Sequence, residues 1–118
     1  MQIINLYRGY EGYGEIVLTE ETSSHEVLFE VRLLDLHFTE VLSQIPLGRY
    51  HTESVMFNYL GGEGWFYDKW ECKRTEEFYE QLVAIQNMPD DYAAVHDALK
   101  QICQSALQYG NQLFIEKE

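Results

Sequence analysis

Four histidines, two cysteines and twenty acidic side chains are the groups with which this sequence could do chemistry. Their spacing brings few of them together. His51 and Glu53 lie two apart and would share a face of an extended segment, whereas His96 and Asp97 are adjacent and diverge on a helix. A metal centre needs three or four converging ligands with partners behind them, and no run here has that spacing. His25 and His37 stand apart from the rest, so neither a metal nor a cofactor is expected. Ser23 and Ser24 beside His25 have no acid in register, and no Gly-x-Ser-x-Gly elbow is present. His96 and Cys103, seven apart, would fall two turns along one helix face, which buried packing explains without a catalytic dyad. Cys72 and Cys103 form no Cys-x-x-Cys motif and read as free thiols. Carboxylates are so frequent that no one pair is marked as an acid and base. The expectation is a protein that is not an enzyme.

Two glycine-rich stretches, "GYEGYGE" (9–15) and "GGEGW" (61–65), resemble phosphate loops only in their glycines. They lack the Lys and Ser/Thr of such a loop and carry Glu where a phosphate would sit. Their other residues suit a different task. Tyr7, Tyr10 and Tyr13 recur through the first stretch, and Tyr59, Trp65, Phe66, Tyr67 and Trp70 surround the second. Tyr and Trp give large contact area at low entropic cost, and glycine lets a loop conform. Interleaved acids would complement Lys and Arg on a partner. The candidate partner-binding residues are therefore Tyr10, Glu11, Tyr13, Glu15, Glu63, Trp65, Tyr67, Asp68, Trp70 and Glu71. Against this stands the tendency of strand aromatics to fill a core, and alternation alone would bury about half of them.

The elements that must position these residues follow from periodicity. "QIINLY" (2–7) and "EIVLTE" (15–20) read as strands that could pair across the glycine loop. Residues 27–33 alternate, with Val27, Phe29, Val31 and Leu33 on one face. The phase then switches at Leu34, through either a β-bulge at Leu33–Leu34 or a strand end followed by a short helix over "DLHFTEVLSQI". "ESVMFNYL" (53–60) reads as a strand with Val55, Phe57 and Tyr59 on one face, returning through "WFYDKWEC" (65–72) as a long hairpin. Thr75 is placed as an N-cap, with Glu76 and Glu77 favourable in the first turn of a helix over 75–86. Tyr92, Val95, Leu99, Ile102, Ala106 and Tyr109 recur at steps of three and four, and Gly110 is a natural stop. Residues 111–118 could add a last strand. The fold class is α+β: an antiparallel or mixed sheet of four to six strands, with two main helices of the C-terminal half on one face. The runner-up location for a site is a pocket between sheet and the 92–109 helix, around His51, Glu53, Tyr59 and Cys103.

At 118 residues the chain fits one domain, 1–118, with a core of its own. Twenty acids against eight bases give a net charge of −12, shared by both halves. That field repels nucleic acid and anionic lipid and steers basic partners inward, so neither direct nucleic-acid nor membrane binding is expected. "MQIINLYRGY" lacks the basic start and apolar run of a signal peptide, which points to the cytoplasm. In size, acidity, element order and acidic-aromatic stretches at 7–15 and 59–71, the sequence resembles small immunity proteins of bacterial polymorphic-toxin and contact-dependent inhibition systems. The resemblance implies a cytoplasmic monomer or homodimer that neutralises a basic partner, a toxin or nuclease domain. The alternatives are a phage-type anti-restriction or anti-CRISPR inhibitor, and a small-molecule-binding module or minor enzyme.

Overall fold

The computed structural model describes residues 1–61 and 68–118. Strand β1 (Gln2–Asn5) leads through a long loop to β2 (Glu15–Glu21), and a turn joins β2 to β3 (Val27–Leu34). Helix α1 (Asp35–Leu42) follows directly, then α2 (Val55–Gly61), the short strand β4 (Trp70–Cys72) and α3 (Thr75–Ala84). A single 3-10 turn (Asp90–Tyr92) opens α4 (Ala93–Tyr109), and β5 (Gln112–Lys117) comes last. The strands form one sheet in the order β1-β3-β2-β5-β4. All neighbours are antiparallel except β1 and β3, which run parallel with Ile3 opposite Glu30. The α+β class and the mixed sheet agree with the periodicity.

Alternation on the central strands sets the core. Ile16 and Leu18 of β2, Phe29, Val31 and Leu33 of β3, and Leu113 and Ile115 of β5 all point inward and are at most 4% exposed. Helix α4 packs on β2, β3 and β5, α1 packs beside it, and α3 lies against α4. The three- and four-residue steps of α4 deliver Val95, Leu99, Ile102 and Ala106 to that core, joined by His96 and Cys103. Tyr109, one step further, is exposed. Removing each such Leu or Ile from water contributes about 1.5–3 kcal/mol. The helix stops at Gly110, whose φ of 65° is left-handed; its backbone N–H and that of Asn111 bond back to Leu107 and Ala106.

Several expectations are corrected. Residues 55–61 are helical, so the expected strand over 53–60 does not form. Val55 and Met56 are buried and Tyr59 is partly so, while Phe57 is 46% exposed; this is helical spacing that strand alternation cannot match. Ser54 starts the helix: its Oγ accepts from the Phe57 N–H at 3.0 Å, in the geometry of an N-cap. The long hairpin therefore lacks its first arm, and residues 65–67 of the expected returning arm lie outside the described residues. β1 does not pair with β2, because β3 lies between them. The phase switch at Leu34 is the strand-to-helix junction, and the bulge lies instead at Glu20–Glu21, where the partner register jumps from Phe29 to Val27. Thr75 is the first residue of α3, not its cap, and its hydroxyl donates to the Cys72 carbonyl at 3.0 Å. Helix α3 ends at Ala84, two residues early.

Candidate functional site

Because β3 separates β1 from β2, loop 6–14 must cross the end of β3, a span of two strand spacings or about 10 Å. One end of the loop is pinned to that strand and the other to the first residue of α1. The Leu6 N–H donates to the Arg32 carbonyl at 2.9 Å, and the Asp35 N–H donates to the Gly14 carbonyl at 2.9 Å. Between them the chain makes two successive turns, Tyr10 N–H to the Tyr7 carbonyl and Tyr13 N–H to the Tyr10 carbonyl, each 3.0 Å. Gly9 and Gly12 hold φ of 95° and 99°, a region that glycine enters without the strain of a Cβ. Asn5 Oδ1 accepts from the N–H groups of Tyr7 and Arg8, Glu11 Oε2 accepts from the Gly9 N–H at 2.9 Å, and the Tyr7 hydroxyl donates to the Tyr13 carbonyl. The loop is therefore bonded internally rather than held only at its ends.

This folding brings three distant segments together at the start of α1. The Tyr10 ring meets His37 edge-on with centroids 5.2 Å apart, and His37 meets Tyr92 at 5.7 Å. Tyr13 is 71% exposed, and Leu36, next to His37, is 59% exposed. Glu11, Glu40, Asp90 and Asp91 belong to the same three segments, and none is in an ion pair among the described residues. Helix α1 carries Leu36 and Glu40 on one stripe, four residues apart.

Glu15 does not stand with these residues. It is 9% exposed, and its Oε2 accepts from Arg32 Nη1 at 3.0 Å. Arg32 also donates to Glu30 at 2.9 Å, and these two bonds raise its pKa further, Glu30 being the stronger cause. Glu15 thus has a partner within the sheet. At the opposite edge, Trp70 is half-buried and packs against the core beside Ile115. Glu71 alternates to the outer face opposite Phe114, with Gln112 Nε2 at a long 3.4 Å, and Asp68 is exposed. Lys69 pairs with the buried Glu21 and lies 4.7 Å over the Phe114 ring. Glu63, Trp65 and Tyr67 lie outside the described residues. Tyr10, Glu11 and Tyr13 are brought together; Trp70 and Glu71 belong to a strand two places from β2 and do not join them.

A groove of about 800 Å³ opens between the β4–α3 junction and the last turn of α4. Glu71, Glu76, Glu77 and Glu80 line it, with Lys73 and Arg74. Both cations are already engaged: Arg74 donates to Glu77 at 2.8 Å, which raises its pKa, and Lys73 sits 3.3 Å from Glu53. The residues of the runner-up pocket do not share one opening, since His51 is exposed and Cys103 is fully buried. Burial pushes the Cys103 thiol well up, and raises Cys72 from about 9 to about 11. Among the described residues no three His, Cys, Asp or Glu side chains converge as metal ligands. No helix among them is long and apolar enough to cross a membrane.

Sequence reasoning missed Leu36, His37, Tyr92, Asp90 and Asp91 as neighbours of the tyrosine loop. No sequence signal marked them: they meet the loop because it crosses β3 and lies against α1, a topology that periodicity does not reveal. Comparison with protein-family models, curated proteins and solved structures found no match.

Proposed function

We propose that this chain is a non-enzymatic acidic binding protein that neutralises a basic protein partner, as an immunity protein does to its cognate bacterial toxin, with a nuclease domain as the favoured target. One observation carries the reading. Six of the eight basic side chains, Arg32, Lys69, Lys73, Arg74, Lys100 and Lys117, are in ion pairs with the chain's own carboxylates. The surplus acid is left facing outward: Glu11, Glu26, Asp68, Glu76, Glu80, Asp90 and Asp91 are exposed and outside those pairs. A nuclease presents Lys and Arg to phosphates, so an acidic protein is drawn to that surface and can occlude it. Internally bonded aromatic residues beside the acids support a protein–protein interface over pure phosphate mimicry, because aromatic anchors carry most interface energy.

The test is capture from the native host at low salt, followed by washes of rising ionic strength. A single basic protein released by salt, and inhibited in its own activity by the purified chain, is the expected result. A partner that is acidic, or whose binding is indifferent to salt, sinks the proposal.

A further inference from the structure

The surface made by loop 6–14, the first turn of α1 and the 3-10 turn is the face on which, we propose, the basic partner docks, with arginine side chains of the partner laid over tyrosine rings between carboxylates. This rests on the binding reading above and names its surface. Tyr10, Tyr13 and Leu36 are large apolar groups left 38%, 71% and 59% exposed within one patch, where the ring contacts Tyr10–His37 and His37–Tyr92 join the three segments. The charge around the patch selects the occupant. Glu11, Glu40, Asp90 and Asp91 lack cationic partners among the described residues, while Arg8 of the loop and Lys117, paired with Asp35 at 3.0 Å beside Gly14, are like-charged groups that a docked partner must avoid. A guanidinium satisfies both chemistries at once: it stacks on an aromatic face and forks to a carboxylate. The hydrogen bonds inside the loop fix its shape before any partner arrives, so little ordering entropy is lost on docking. The acid-lined groove beside α3 has the same charge but lacks exposed rings, Leu107 being its one large exposed apolar side chain among the described residues.

The experiment titrates the intact chain with a nona-arginine peptide at low salt and follows backbone amide shifts by NMR. The largest shifts are expected at residues 9–13, 36–37 and 90–92. Tyr13→Ala combined with Leu36→Ala removes two side chains that are more than half exposed. A thermal melt should therefore be unchanged, while affinity for the peptide falls about tenfold, the effect of losing an interface anchor. Glu76→Gln with Glu80→Gln, in the groove, should change it less than about threefold, as exposed charges do. Shifts centred on the groove, or spread evenly over the acidic surface, overturn this docking face and leave the acidic binding reading standing. A peptide that does not bind at all overturns both.

Discussion

Asn111 holds a carboxylate that has little else. Glu20 is 1% exposed on the core face of β2, and its Oε2 accepts from Asn111 Nδ2 at 2.6 Å, while its other oxygen finds no hydrogen-bond partner among the described residues. A hydrogen bond to a charged group is worth about 1.5–3 kcal/mol, and losing it inside a core costs at least that. Asn111→Ala should destabilise the fold by about 2 kcal/mol in urea titration, and Glu20→Gln in the same chain should restore part of the loss. The thiols give a second signature. Cys72 is raised from about 9 to about 11 by burial, so the unfolded chain gives up this proton before the folded one does. The stabilisation is whole below pH 9 and is lost as pH rises from about 9 through 11. Urea midpoints should fall across that window, and less steeply in a Cys72→Ala, Cys103→Ala chain. A midpoint slope identical in both chains would refute the burial argument. The candidate surface was half legible from single residues. Composition singled out Tyr10, Glu11 and Tyr13, which lie together on one loop, but Glu15 looked the same as they did until Arg32, seventeen positions away, took its carboxylate.

Helices α2 and α4 show where pattern reading succeeds and where it fails. Across seventeen residues, the steps of α4 admit no strand interpretation. Across the seven of α2, Val55, Phe57 and Tyr59 satisfy strand alternation, while Val55, Met56 and Tyr59 satisfy a helix. Only the cap decides, and Ser54 was the signal. Ser54→Ala should cost about 1 kcal/mol of global stability, read by chemical denaturation. Between α3 and α4 a polar contact sits within an apolar seam: His96 Nε2 lies 2.6 Å from the Leu82 carbonyl, with the ring 7% exposed. His96→Leu keeps the bulk but leaves that carbonyl with the long 3.3 Å bond from the Ile85 N–H, and a loss of about 0.5–1.5 kcal/mol is expected. Amides at the end of α3 should then exchange faster than those in the middle of α4. The pairing of β1 with β3 was illegible for a different reason. Its partner lies 27 residues away in sequence, Gln2 opposite Phe29, and parallel neighbours leave no turn signature.

The whole molecule repels itself. Its −12 charge is only locally relieved by exposed pairs such as Lys73–Glu53 and Lys100–Asp97, which are worth little each. Added salt shortens the reach of the repulsion to about 8 Å near 0.15 M and weakens the pairs less than it weakens the net field. The melting temperature should therefore rise between roughly 0.02 and 0.3 M sodium chloride, where a fold dominated by ion pairs would show a fall. The same screening should slow association with a basic partner, so stability and capture rate move in opposite directions with salt.

Strand β5 sits between β2 and β4, with Ile115 paired to Leu18 on one side and Trp70 on the other. While the chain is being made, nothing can occupy that place until residue 117 has cleared the ribosomal exit tunnel. Up to that moment the nascent chain holds β2 and β3 with one bare edge, and β4 has no sheet to join. Synthesis thus imposes an order on folding that contact energies do not: a chain stalled at Gly110 keeps an open seam for chaperones, or for another stalled copy, to find.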